Sequence, residues 1–158
     1  MNYSECIENA RTRIGNYCKA CPECNGRACK NQMPGPGAKG IGDTAIRNYD
    51  KWKEIRVQMD TIAENKPVDT SLELFGKKFL YPFFAGPVGA VGLHYGDCLD
   101  DVRYNDILVS ACAKYGIAAF TGDGLDSNVM VAATKAIGKT DGIGIPTVKP
   151  WNIDTVAE

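Results

Sequence analysis

Phe79-Leu-Tyr-Pro-Phe-Phe-Ala-Gly-Pro-Val-Gly89 limits this chain more than any other stretch. Seven mostly apolar residues end abruptly in Gly86-Pro87-Val88-Gly89, and a long polar loop follows. A short apolar run closed by Gly and Pro reads as a buried strand whose C-terminal end opens into a loop. In α/β proteins the loops after parallel strands converge at that edge, and ligands sit there.

The rest of the C-terminal half repeats this pattern. A loop over 86–100 leads into a helix at about 101–115, with Val102, Ile107, Leu108, Ala111 and Cys112 as its apolar face. Gly116 stops that helix. Ile117-Ala-Ala-Phe120 is the second strand, and Thr121-Gly-Asp-Gly124 is its loop. Asp126 or Ser127 caps the next helix, which buries Val129, Met130, Ala133 and Ile137. The third strand is Ile143–Val148, and Asn152 caps a helix beginning at Ile153. Strict strand–helix alternation predicts a parallel sheet with right-handed crossovers. Three such strands leave open edges, so the expectation is a chain cut short and prone to self-association.

The segment before the strand is of another kind. Residues 2–17 read as a helix with Ile7, Ala10 and Ile14 on one face. Then come Cys18, Cys21, Cys24 and Cys29, spaced Cys-x2-Cys-x2-Cys-x4-Cys, with Asn25-Gly26 as a turn. This is close to iron–sulfur spacing and also permits a tetrahedral Zn2+ site; a metal-free loop of reduced thiols has the same sequence. Residues 33–42 are too rich in Gly and Pro to form an element, and they lack the Gly-Lys-Ser/Thr ending of a phosphate-binding loop. They read as a linker, or as bare backbone that a phosphate or flavin could approach. Asp43-Thr44 caps a helix through about Trp52. Ile55–Met59 alternates as a short strand does, and Leu72–Phe75 with Gly76-Lys77 reads as a hairpin leading into the strand at Phe79.

Composition narrows the class of function. With 158 residues, 44% hydrophobic and a net charge of -1, the chain can bury a core and offers no basic surface for nucleic acid. No apolar stretch approaches the ~20 residues of a membrane span. Seven cysteines, an odd count, suit a reducing cytoplasm better than a secreted disulfide framework.

Asp69-Thr-Ser-Leu-Glu-Leu-Phe-Gly-Lys-Lys-Phe79 and the strand that follows resemble the start of the barrel in FMN-dependent α-hydroxy-acid oxidases and dehydrogenases. Arg47-Asn48-Tyr49 with Trp52-Lys53 looks like the helix before that barrel, and Ala119-Phe-Thr-Gly122 takes the place of its second strand. The similarity runs over roughly 43–158 and leaves the cysteine block outside. It implies two domains: 1–42, helical, Cys-rich and Gly/Pro-rich, and 43–158, the N-terminal half of the barrel. The fold class is therefore α/β, a partial TIM (β/α)8 barrel of three strands and two complete helices behind an N-terminal segment.

The resemblance also implies FMN at the C-terminal face of the strands. Pro87, Val88 and Gly89 would line it after the first strand, Thr121 and Gly122 after the second, and Thr147 and Lys149 after the third. It implies oxidation of a small 2-hydroxy acid such as lactate to the 2-oxo acid, and a homo-oligomer at full length. The segments bearing the family's catalytic histidine, substrate-gripping arginine and phosphate loops are not in this sequence. No catalytic residue is therefore assigned, and the fragment alone is expected to be inactive. His94 reads as a loop residue, and Asp123 and Asp126 as turn and cap residues. Three alternatives stand beside this reading: a type 2 isopentenyl diphosphate isomerase-like flavoenzyme, a metal or electron-transfer module built on the four cysteines, and a half-barrel completed by a partner chain.

Overall fold

The structure is a computed structural model that describes residues 1–15, 17–30, 32, 43–124, 126–141, 143–150 and 152–154. The whole Gly/Pro-rich stretch, 33–42, and most of the final helix lie outside the described residues. The chain divides into two compact units, one of Met1–Lys66 with Gly92–Cys98, the other of Pro67–Val91 with Leu99–Glu158.

In the first unit, α1 (Tyr3–Arg11) opens with a capping box: Asn2 accepts the Glu5 N–H while the Glu5 carboxylate accepts the Asn2 N–H. The helix ends at Thr12, short of the expected 17. Two side chains of α1 hold the cysteine loop through its carbonyls. Tyr3 Oη donates to Pro22 at 2.6 Å, and Arg11 Nε donates to Ala20 at 3.2 Å. The loop meets α2 (Asp43–Trp52) through exposed ion pairs, Arg27–Asp50 at 3.4 Å and Lys30–Asp43 at 2.9 Å. Pairs this exposed add little stability each. Residues 55–59, expected as a strand, form none and stay exposed. Alternation makes a strand only where a partner strand or a packing layer meets it.

The second unit begins with the expected hairpin, β1 (Leu72–Leu74) against β2 (Lys77–Phe79), antiparallel with Leu72 opposite Phe79. The expected strands Phe79–Ala85, Ile117–Phe120 and Ile143–Val148 are much reduced. Their pairing consists of isolated parallel bridges, Ala85 to Ala119 and Phe120 to Ile145. Proline is the physical reason. Pro82 and Pro146 lie inside two of the three segments, and neither has an N–H to extend a ladder. What remains is well bonded: Ala85 N–H to Ala118 carbonyl at 3.0 Å, Phe120 N–H to Ala85 carbonyl at 2.9 Å, and Ile145 N–H to Ala119 carbonyl at 2.8 Å.

After the first segment comes α3 (Val91–Tyr95), a short helix the sequence did not announce, which from Gly92 onward belongs to the first unit; α4 (Asp101–Lys114) and α5 (Ser127–Lys139) belong to the second. Asp100 caps α4 and Asp126 caps α5, each accepting a backbone N–H of the first turn. Gly116 follows α4 at φ +71°, the left-handed conformation that ends a helix without a Cβ penalty. α4 and α5 pack together, and Val109, Cys112, Ala119 and Ala136 form the core, with Ala85, Leu108, Ile117 and Ile137 against it.

The buried face of α4 differs from expectation. Asn105, Val109 and Cys112 are buried, whereas Val102 is 39% and Ile107 49% exposed. α5 buries Val129, Ala133 and Ala136. Neighbouring residues of a strand face opposite ways. Ala85 and Ala119 thus meet the helical core, while the adjacent Phe84 and Phe120 line the other side, their rings 6.5 Å apart.

Candidate functional site

The ends of the three parallel segments gather on one edge of the second unit. Beside them lies an open, largely apolar depression of about 590 Å3, lined by Phe84, Gly86, Pro87, Phe120, Pro146, Thr147 and Val148. All three segments contribute to it. Its size falls within the range of small-molecule and cofactor sites, and its apolar floor suits a flat ring.

The seven residues expected at a flavin lie on three loops that touch one another or line the depression. Pro87 and Thr147 line the depression directly. Gly122 approaches Val88 so closely that a Cβ on Gly122 would overlap the Val88 carbonyl, and a Cβ on Gly89 would overlap the carbonyl of Asp123. The first two loops are thus in contact main chain to main chain. Thr121 donates its N–H to the Ile145 carbonyl at 3.0 Å, which joins the second segment to the third. Lys149 donates its N–H to Asp123 Oδ2 at 2.6 Å.

Thr121 is fully buried, and its hydroxyl meets no hydrogen-bond partner among the described residues. Leaving such a group unpaired costs about 1–3 kcal/mol. Thr121 does not line the depression: alternation turns its side chain, like that of Ala119, away from the face that Phe120 presents. With an apolar depression at the ends of the three segments and glycines where the loops touch, the residues present fit a flavin.

Asn105 was legible in the sequence only as a polar interruption of an apolar stripe. It stands with Val109 and Cys112 at i, i+4 and i+7, a spacing that puts it on the buried face. Its amide bonds both polar groups of Gly122: Oδ1 accepts the Gly122 N–H at 3.0 Å and Nδ2 donates to the Gly122 carbonyl at 3.4 Å. Asp123 also does more than turn the chain, since it accepts from Gly124 at 2.8 Å as well as from Lys149. Asp126 serves as the α5 cap, and His94 lies in α3 with its ring edge-on to Tyr95.

The cysteine block differs from the iron–sulfur or zinc expectation. Among the described residues no group of three or more His, Cys, Asp or Glu side chains is placed to hold a metal ion. Cys18, Cys21, Cys24 and Cys29 are free thiols; Cys24 is exposed and the other three are half-buried. They are near enough to interact. Partial burial pushes the Cys24 thiol up, and Cys29, Cys18 and Cys21 push it the same way against a lowering hydrogen bond from the Gly26 backbone. Among the described residues no helix is long and apolar enough to cross a membrane.

No curated protein and no solved structure matches the chain. The family model for FMN-dependent dehydrogenase matches residues 35–141, more than half of the chain and all of the first two strand–helix units. The chain therefore belongs to the FMN-dependent dehydrogenase family, FMN-using oxidoreductases built on the TIM barrel.

Proposed function

We propose that this chain supplies the flavin-binding face of an oxidoreductase that converts a small 2-hydroxy acid to its 2-oxo acid. The three parallel segments and their two helices are, on this reading, the opening of a (β/α)8 barrel. The observation that carries the proposal is the apolar depression where the ends of all three parallel segments meet, in a chain of this family.

FMN, when bound, supplies a two-electron acceptor for the hydride that leaves Cα as the hydroxyl carbon becomes a carbonyl. The chain's own residues bind and orient. Pro87, Val88 and Gly89 present the first loop's backbone, and Thr121 and Gly122 the second's. Thr147 and Lys149 offer a hydroxyl and a cation from the third. Phe84, Phe120 and Pro146 keep water from the floor beneath them. No residue here is assigned to take the hydroxyl proton.

Titration of the protein with FMN, followed by flavin fluorescence, tests the binding half of this reading. The expected result is saturable quenching with one flavin per chain. Anaerobic addition of lactate, glycolate or a longer 2-hydroxy acid to the FMN-loaded full-length enzyme then tests the substrate, with bleaching of the flavin absorption as the readout. Saturable binding without bleaching by any 2-hydroxy acid would leave the flavin site standing and remove the substrate assignment.

A further inference from the structure

We propose that Asn105 and Asp123 are positioning residues that lock the three strand-end loops into one preformed face for the flavin. This rests on the flavin-binding reading above and names the two side chains that hold its parts in register.

The linkage is continuous. Asn105 projects from the buried face of α4 and grips both backbone polar groups of Gly122. Gly122 lies against the Val88 carbonyl, so fixing Gly122 fixes how near the first loop comes to the second. Gly89 in turn lies against the Asp123 carbonyl. The Asp123 carboxylate then divides its two oxygens: Oδ1 accepts from Gly124 within its own loop, and Oδ2 accepts from Lys149 on the third. Each of the three loops is therefore a link in one chain of contacts, and only two of its members act through side chains.

Chemistry explains why these two residue types suit the positions. An amide carries both a donor and an acceptor, which is what one peptide unit's N–H and C=O need when burial denies them water. A carboxylate is acceptor-only and has two oxygens, so it can bind two N–H groups from different loops at once. Loops held in this way do not have to be ordered when the ligand arrives, and preorganisation of that kind raises affinity.

The test uses the whole chain, with FMN as the probe and two readouts: flavin binding by fluorescence and absorption, and hydrogen exchange at 86–90, 121–124 and 146–150. Asn105→Ala is expected to weaken FMN binding about tenfold or more, because it orphans two buried backbone groups in the loop. It should also speed exchange at 121–124 and shift the bound-flavin absorption. Asn105→Asp keeps an acceptor for the Gly122 N–H and should recover part of the affinity; it carries the test if the alanine variant does not fold. Asp123→Asn keeps volume but offers one oxygen to two N–H groups, so exchange should rise at 146–150 with a smaller loss of affinity. Cys112→Ala serves as the comparison, since it lowers stability from the same core without touching the loops.

The proposal is overturned if the Asn105 and Asp123 variants lose stability yet bind FMN as the wild type does. It is equally overturned if Cys112→Ala weakens FMN as much as they do. A wild-type chain that takes up no FMN refutes the flavin reading and this inference with it, and the titration shows that before any variant is made.

Discussion

Gly122 sits so near Val88 that a β-carbon on the glycine would fall within bonding reach of the valine carbonyl. The obstacle is backbone, which cannot swing aside as the end of a side chain can. Gly122→Ala must therefore push apart the first two strand-end loops, and forced overpacking of this kind costs about 1–3 kcal/mol. Displacing Gly122 also strains both hydrogen bonds to Asn105. The expected outcome is lower stability together with loss of FMN binding, read by thermal melting and flavin titration. Wild-type melting and affinity in the alanine variant would show that the loops do not meet as described.

Cys112 gives the protein a pH dependence on the alkaline side. Burial raises its thiol above the ordinary value near 9.0, and Tyr104 is raised in the same direction, by burial first and then by Cys112. A raised folded value means that the native state keeps its proton where the unfolded chain has lost it. The contribution is fully present below about pH 9 and is lost as pH climbs through the folded value. Denaturant unfolding between pH 7 and 10.5 should therefore show stability falling from about pH 9 upward, with a shallower fall in Cys112→Ala. Thiol labelling of the native protein should reach exposed Cys6 and Cys98 and spare Cys112. An equal slope in Cys112→Ala would remove this account.

What could be read from the sequence was what local chemistry decides. The cap at Asp126, the helix stop at Gly116, the hairpin before Phe79 and the two long helices each follow from a few adjacent residues. Three features depend on tertiary context and escaped it. The α4 face turned toward Asn105 and Val109 because the packing partner is α5 and the short parallel segments, and apolar count alone could not orient it. Residues 55–59 alternate without a layer to pack on. The strands shrank to bridges because two carry a proline at the point where pairing would extend. At the site, the candidate backbone positions came from the resemblance, whereas Asn105 and the second oxygen of Asp123 emerge only when α4 and the third segment are brought alongside.

Asp100 connects helix stability to the site. Its Oδ1 accepts the Arg103 N–H at 2.7 Å, two residues before Asn105. Asp100→Ala removes that cap at a cost of about 1 kcal/mol. Because Asn105 lies in the second turn, fraying at this end loosens its hold on Gly122. The expected result is a lower melting temperature and faster exchange of the Gly122 amide, with the hairpin amides at 72–79 unchanged. Uniform acceleration across the second unit would mean that the cap acts on global stability alone.

Phe75 offers the reverse test, a substitution expected to stabilise. The β1–β2 turn is Phe75-Gly76, with φ +53° and +71°, so both turn residues are left-handed, as a two-residue hairpin turn of matching twist requires. Glycine meets that demand freely, but a bulky side chain does not. Phe75 is also 78% exposed, so its ring returns little burial for the strain. Asn accepts this conformation far better than Phe, and Asn-Gly is the favoured pair for such turns. Phe75→Asn should therefore gain about 1 kcal/mol and raise the melting temperature by roughly 2–4 °C. The hairpin register, Leu72 to Phe79 and Leu74 to Lys77, should persist, since the turn length is unchanged. A melting temperature that falls would mean that Phe75 packs on something in solution and that its exposed ring serves a contact.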